Sequence, residues 1–325
     1  MINLVAAYPV MVAIVSIVNL VAPQRGGPIA LSHVFGPHLL VPVLVLTPLA
    51  LASKSRGLRL AVVAAIAIGA VRFVPGLVSL PAAAPVADET VVRVMSWNLE
   101  AGAPAVADVV IQLRATNADV IALQELTPGH AAAILADAEL TGRFAGVALV
   151  PRPGVGGTGI LSRLPILNAS DDVNPVVQEV QIQLPDGSLT VVNAHPFPPR
   201  YRVLDAIPLP FGYDPAQRDA DILRIRERID RAIAAGHQVI VLGDFNLTDR
   251  EPGFDDLSRG MWDAHEEVGQ GPGSTWRPSR LEFLPIGVRI DHFLGGPGTR
   301  PLSVAEDCTP RRSDHCILVG AAAID

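Results

Sequence analysis

The first 87 residues contain no aspartate or glutamate and only five basic residues, Arg25, Lys54, Arg56, Arg59 and Arg72. The chain's mean hydropathy of +0.38, high for a soluble enzyme, is concentrated there. Basic charge is scarce in the remainder as well. Residues 88–325 hold 20 of the 25 basic residues against all 32 acidic ones, a formal charge near −12. Affinity for a polyanion comes from Lys and Arg displacing counterions, so nucleic acid is disfavoured as the natural partner. Basic stripes interleaved with aromatics are also missing. Two cysteines are too few for a thiolate metal cluster. The glycines at 156, 157 and 159 lack a following Gly-Lys-Ser/Thr, which argues against a phosphate-cradling P-loop. No internal repeat is visible.

What residues 1–87 do have is apolar length. Asn3 to Ala22 is 20 uncharged residues, enough at about 1.5 Å per residue to cross a hydrocarbon core of about 30 Å. Phe35–Ala52 and Leu58–Val74 follow, so the pattern predicts three transmembrane helices, the second kinked by Pro42 and Pro48. A signal peptide is the alternative for the first run, but it lacks a basic n-region and two more runs follow. The link from Ser53 to Arg59 carries three positive charges against one between Pro23 and His38. The positive-inside rule then puts Lys54, Arg56 and Arg59 in the cytoplasm. With three spans the N-terminus is cytoplasmic and everything after Leu80 is extracellular, on a multi-pass protein of the cell membrane. Arg72, near the outer end of the third run, is expected to snorkel to the headgroups. Residues 1–80 thus read as a transmembrane region and 81–87 as a short Pro/Ala linker. Residues 88–325 read as one α/β domain held close to the bilayer.

Within that domain, apolar strands end on polar residues. Val239–Leu242 leads into Gly243-Asp244-Phe245-Asn246, where alternation would put Asp244 and Asn246 on one side and Phe245 in the core. Val91–Leu99 presents Asn98, and Asp119–Glu125 ends on Glu125. Thr127 and Pro128 suit the N-cap and first position of a helix to about Ala138. Val176–Leu184 and Leu189–Ala194 form a hairpin about Pro185-Asp186-Gly187, with Asn193 and His195 sharing a face. Phe197–Tyr213 reads as a long irregular segment, either a flap over substrate or membrane or a plain surface loop. Asp214-Pro215 opens a helix to about Ala235. Val288–Leu294 reads as a strand carrying Asp291, with His292 on its other face. Ser313-Asp314-His315 precedes the last strand.

The series Asn98, Glu125, Leu161-Ser162-Arg163-Leu164-Pro165, His195, Gly243-Asp244-Phe245-Asn246, Asp291 and Asp314-His315 resembles the endonuclease/exonuclease/phosphatase superfamily, the metal-dependent phosphoesterases similar to deoxyribonuclease I. The resemblance implies a four-layer α/β sandwich, two packed mixed β-sheets flanked by helices, here preceded by three transmembrane helices. It also implies Mg²⁺, or Mn²⁺ in its place, on Glu125 with help from Asn98 and Asp314. A hard octahedral ion held by one or two carboxylates suits that set. By the same resemblance, Asp244 aligns or deprotonates the attacking water and Asn246 donates to the transition-state oxygen. His315, oriented by Asp291, donates to a non-bridging oxygen, and His195 is a second phosphate contact. A carboxylate beside His315 favours its imidazolium.

Three spans before an external domain further resemble the membrane phosphatases of this superfamily associated with glycopeptide (teicoplanin) resistance in actinobacteria. The implied substrate is a lipid-linked, polyprenyl pyrophosphate, and the implied partner surface is the lipid bilayer. A phosphodiesterase, whether sphingomyelinase-like or an anchored nuclease, is the alternative within enzymes. A non-catalytic membrane sensor is the alternative outside them. An extracellular address allows Cys308 and Cys316 to pair around Ser313-Asp314-His315, worth roughly 2–3 kcal/mol in the loop-entropy model, or they remain two thiols.

Overall fold

Two sheets meet face to face in a computed structural model that describes residues 2–74, 77–86, 88–170, 176–204, 207–278, 287–309 and 313–325. In neighbour order the first sheet runs Thr299–Asp307, Ile317–Ile324, Thr90–Asn98, Val120–Gln124, Thr158–Ser162 and Gly146–Val150. The second runs Trp262–Asp263, Asp291–Gly295, Gln238–Asp244, Gly187–Ala194, Val177–Leu184 and Ile166–Ala169. Both are mixed. Thr90–Asn98 lies parallel to Val120–Gln124, and Gln238–Asp244 parallel to Gly187–Ala194, while the outer strands are antiparallel.

Period-two alternation decides what faces what. Val92, Val94, Val120, Ala122, Leu189, Val191, Ile240 and Leu242 point between the sheets and form one buried cluster with Phe293 and Leu318. Their neighbours point outward under helices. Trp97, Ile121 and Leu123 pack with Val109 and Leu113 of the helix Val106–Ala115. Val192, Val241 and Phe245 pack with Ile222, Ile225 and Ile229 of the helix Ala216–Ala234. Each such buried aliphatic side chain contributes about 1.5–3 kcal/mol. The result is the helix–sheet–sheet–helix sandwich that the resemblance implied.

Local details sharpen or correct the sequence reading. Thr127 caps the helix Pro128–Ala136, accepting from the His130 N–H at 3.4 Å. His292 is buried on the face away from Asp291, its Nε2 2.8 Å from the Leu247 carbonyl. Phe197–Tyr213 is not irregular throughout: Arg200–Leu204 and Ile207–Asp214 pair as an antiparallel ribbon. Its prolines suggested a loop, but a two-stranded ribbon is all edge and tolerates them. Asp205 and Ala206, inside that segment, and Ala87, the last residue of the expected linker, lie outside the described residues. The strand expected over Val288–Leu294 begins at Asp291, while Val288 forms a separate bridge to Trp276. Cys308 and Cys316 are joined by a disulfide.

The first segment forms the helices Ile2–Val21, Gly27–Val34, Gly36–Ala52 and Arg56–Phe73. The second predicted run is one helix through Pro42 and Pro48, preceded by a short helix set at 80° to it. Among the described residues, no single helix is long and apolar enough to cross a membrane, though this bent pair together meets the criterion. Val12, Val43, Leu58 and Val62 form a core among the three longer helices, and Tyr8 Oη donates to the Leu39 carbonyl at 2.9 Å. Ile14, Leu44, Val45, Leu60, Val63 and Val71 are exposed on the outside.

The helical segment is fastened to the sandwich. Ala30 and Val34 are buried against Tyr213, Val288 and Ile290. Arg25 pairs with Asp256 at 2.6 Å, and Arg72 lies 2.9 Å from His33 Nδ1 instead of standing alone at the surface. The connecting chain is strapped down too. Leu77 O accepts from the Gly271 N–H at 2.8 Å, Ser79 O accepts from Gln270 Nε2 at 2.8 Å, and Arg300 donates to the carbonyls of Ala83 and Ala84.

One buried ionic network ties the ribbon, the long helix and the chain after Asp244. Arg218 is 1% exposed and donates to Glu251 at 2.8 Å, to Tyr213 Oη and to the Asn246 carbonyl at 3.0 Å. Deleting one partner of such a network leaves a buried charge unpaired, at roughly 3–5 kcal/mol. Arg218→Met should therefore lower stability by about that much in chemical denaturation of the full chain. A midpoint equal to wild type would show that Glu251 finds other compensation.

Candidate active site

The inward-facing series on four strands changes from apolar to polar at the same end of the sandwich. Val92 and Val94 are followed by Ser96 and Asn98, and Val120 and Ala122 by Gln124. In the other sheet, Leu189 and Val191 are followed by Asn193 and His195, and Ile240 and Leu242 by Asp244. Because these pairs of strands are parallel, their C-terminal ends gather together. The antiparallel strands contribute their beginnings: Asp291 stands opposite Asp244 in register, and Asp314-His315 immediately precede Cys316. A cleft of about 210 Å³ opens there, lined by Glu100, Glu125, His195, Asp244, Asn246, Trp276, Asp314 and His315 among others.

Asp244 is the hub. Only 1% exposed, it accepts from Asn98 Nδ2 at 2.9 Å on one oxygen and from the Asn246 N–H at 2.8 Å on the other. His195 Nε2 and His315 Nε2 lie 3.5 and 3.6 Å from its Oδ2. Burial alone would raise its pKa, but the two imidazoles and the Asn246 N–H hold it at about 2. For His315, burial works against the charged form, yet Asp291, 2.9 Å from Nδ1, and Asp244 on the other nitrogen raise it to about 10. His195 is likewise raised by Asp244 and Glu125 against the effect of burial. Asp291 is pushed up by burial and by Asp244, with the His315 imidazolium opposing. Its backbone N–H is held by Thr275 Oγ1 at 3.0 Å.

The backbone at this end is unusual. Glu100, Ala101, Glu125 and Asn246 are the non-glycine residues with positive φ among those described, at +44°, +46°, +56° and +50°. Such conformations cost on the order of 1–3 kcal/mol each and persist where surrounding structure imposes them. Asn246 therefore reaches the cleft through a turn after the strand ends at Asp244, not by continued alternation. Its side-chain amide donates to the Pro196 carbonyl at 3.1 Å. Glu125 likewise follows a strand that ends at Gln124. Gly243, at φ +145°, admits no side chain, since a Cβ there would lie 1.9 Å from the Ala194 carbonyl oxygen.

All eight residues singled out from the sequence come to this one place. Asn98 differs from expectation in how it faces. Its Oδ1 accepts from the Glu100 N–H at 2.9 Å, while Nδ2 donates to Asp244 and, at 3.2 Å, to Glu125. The left-handed turn at Glu100 brings that N–H onto the oxygen, so Asn98 meets the cleft as a donor between two carboxylates. Two lining residues escaped the sequence reading. Glu100 accepts from the Asp314 N–H at 2.9 Å, and its pKa is raised by burial and by Asp314. Trp276 donates Nε1 to Asp314 Oδ2 at 2.8 Å. Glu100 lies two positions after Asn98, the one available hint; Trp276 had none.

The donor set suits a hard cation. Glu100, Glu125 and Asp314 line the cleft with carboxylate oxygens, and among its described lining residues there is no Lys or Arg to neutralise them. Asp244, Asp291 and His315 also place one ligand atom each within 4.8 Å of one another. In that trio Asp291 Oδ2 already holds His315 Nδ1 at 2.9 Å.

A buried general acid/base set beside a carboxylate-lined cleft, in this sandwich, defines a metal-dependent phosphoric ester hydrolase. The chain belongs to the Endonuclease/Exonuclease/phosphatase family, whose model matches residues 95–315. No curated protein sequence matches the chain. Solved structures share the fold at low identity. D. rerio TDP2 complexed with single-strand DNA product has 21% identity and a TM-score of 0.54 over 72% of this chain and 99% of that one. The 3′ phosphatase NExo from Neisseria, bound to a product DNA hairpin, has 19% identity and a TM-score of 0.52 over 70% and 98%. A family member from Bacteroides vulgatus has 16% identity and a TM-score of 0.55 over 73% and 100%.

The raised His315 pKa predicts an imidazolium through neutral pH that loses its proton as pH rises through about 10. Asp291→Asn removes the nearest of the three carboxylates that raise it, Asp291, Asp244 and Asp314, so the titration midpoint of the His315 ring, followed by NMR in metal-free protein, should fall toward the ordinary value of about 6.5. An unmoved midpoint would assign the effect to Asp244 and Asp314.

Proposed function

We propose that the protein is a membrane-anchored, Mg²⁺-dependent phosphatase acting at the outer face of the bilayer, with a lipid-linked, polyprenyl-type pyrophosphate as substrate. The observation that carries the chemistry is the contact of one buried carboxylate, Asp244, with Asn98, His195 and His315 at the floor of a carboxylate-lined cleft. A metal held by Glu125 and Asp314 would polarise the phosphoryl oxygen and offset charge in an in-line displacement. Asp244, ionised at neutral pH, orients or accepts a proton from the attacking water as the P–O bond to the leaving phosphate breaks. His315 and His195 donate to phosphoryl oxygens, and Asn246 adds a neutral donor.

Support for the lipid assignment comes from three features. The soluble part is acidic, the helical segment is apolar on its outside as well as its inside, and that segment packs against the sandwich beside the cleft. An apolar surface of this extent marks a partner interface, and lipid suits helices without an external charged face. The three-span reading puts Lys54, Arg56 and Arg59 at the helix ends remote from the sandwich, the arrangement expected when the sandwich is extracellular. The competing reading, a nucleic-acid phosphoesterase, draws on the DNA products bound to D. rerio TDP2 and Neisseria NExo.

Phosphate release from a polyprenyl pyrophosphate, a phospholipid and DNA, each with Mg²⁺ or EDTA, separates these readings. Release from the lipid pyrophosphate, abolished by EDTA, is expected; release from DNA alone would overturn the substrate assignment. Asp244→Asn and His315→Ala should each lower kcat by roughly 10²–10⁴-fold. Glu125→Ala should shift the Mg²⁺ titration to higher concentration, and an unchanged curve would remove Glu125 from the metal site.

A further inference from the structure

A second cavity, of about 350 Å³, lies where the helical segment meets the sandwich. Val34 and Phe35, at the break between the 80°-bent helices, form one wall; Tyr201, Trp276, Val288 and Ile290 form much of the rest. Its volume falls within the roughly 300–1,000 Å³ usual for ligand pockets. It shares Pro198, Asn246 and Trp276 with the acidic cleft, so the two adjoin.

The chemistry of the two chambers differs sharply. Among the described lining residues of the second there is no Lys or Arg. Its one carboxylate, Glu251, is already taken up by Arg218 at 2.8 Å and the Thr248 N–H at 2.9 Å. No described lining residue there carries a positive charge to balance a phosphate. The wall is aliphatic and aromatic, and Phe35 belongs to the segment whose outer surface is apolar.

We infer that this cavity binds the first part of the substrate's apolar chain, so that the ester's phosphate sits in the acidic cleft and its hydrocarbon runs between the Val34–Phe35 break and the sandwich. The inference rests on the phosphatase reading above and makes the helical segment part of the binding site, not only an anchor. A polynucleotide, whose backbone is charged at every residue, finds no cation among the described lining residues to pair with its phosphates. Selectivity among phosphate esters then depends on the length and apolarity of the leaving chain, with Phe35 and Val288 as specificity determinants remote from the reacting atoms.

The test uses the full chain in detergent with Mg²⁺ and a series of n-alkylphosphonates from ethyl to octyl, whose C–P bond resists hydrolysis. Calorimetric affinity should rise with chain length, by up to about fourfold per buried methylene, and then level off as the cavity fills. Val288→Thr, which keeps shape and adds a hydroxyl, and Phe35→Ala should flatten that rise while leaving ethylphosphonate affinity within about twofold. Retained ethylphosphonate binding reports an intact cleft, and should Phe35→Ala fail to fold, Val288→Thr decides. Affinity independent of chain length, or the same rise in wild type and Val288→Thr, overturns the inference. Turnover of the matching alkyl pyrophosphates separates the two readings: hydrolysis with flat binding sinks only the chain site, and chain-dependent binding without hydrolysis sinks only the phosphatase.

Discussion

A carboxylate that is 1% exposed must be compensated where it stands, and Asp244 is compensated from both sheets at once. Asn98 and His315 reach it from the first sheet, His195 and Asn246 from the second, and Asp291 holds His315 from the strand beside it. An unpaired ion in that position would be destabilising by several kcal/mol. The register of the strands around it, Asp244 opposite Asp291 and Gly243 against Ala194, is therefore bound to the charge as well as to the apolar core. Moving a strand by one residue would turn Leu242 toward the outer helices and strip Asp244 of its partners.

The same end of the molecule holds the backbone strain. Glu100, Glu125 and Asn246 adopt left-handed conformations that a packed strand would not impose. Each sits where a strand has just ended and a side chain must turn to the shared cleft instead of following the pleat. Compensation is local: Glu100 N–H to Asn98, Asn246 N–H to Asp244, and Leu126 N–H to the Gly157 carbonyl at 3.0 Å. Arg218 adds support from behind by bonding the Asn246 carbonyl, so a residue far from the reacting groups fixes the turn that presents one of them.

Much of this was legible in the chain because alternation carries it. Ile240, Leu242 and Asp244 announce a strand that is apolar inside and acidic at its tip, and Asn193 with His195 does the same. What alternation cannot supply is the geometry after a strand stops. Glu125 and Asn246 looked like the next step of a pleat and are instead products of turns with positive φ. Glu100 and Trp276 belong to segments with no periodic pattern, so nothing local marked them. The paired strands Arg200–Leu204 and Ile207–Asp214 were obscured by prolines, and the strap at residues 77–86 by its bland Pro/Ala composition, since most of its hydrogen bonds to the sandwich use backbone carbonyls, with the Ser79 hydroxyl the side chain that joins them.

The helical segment was read as a membrane anchor, and its contacts bear on how the cleft is oriented relative to it. An anchor on a loose tether would leave the cleft free to face any direction. Here the strap along Gln270–Gly271, the Arg25–Asp256 pair and the Ala30–Val34 seam give the sandwich one orientation relative to the helices. The break at Val34–Phe35 then lies beside the cleft, not across the molecule from it, and the bend of 80° is what turns the short helix onto the sandwich. Helices whose outer surfaces are apolar and a cleft whose lining is acidic thus meet along one wall. That wall is where a molecule with a charged head and an apolar chain would find both of its environments without crossing a polar surface.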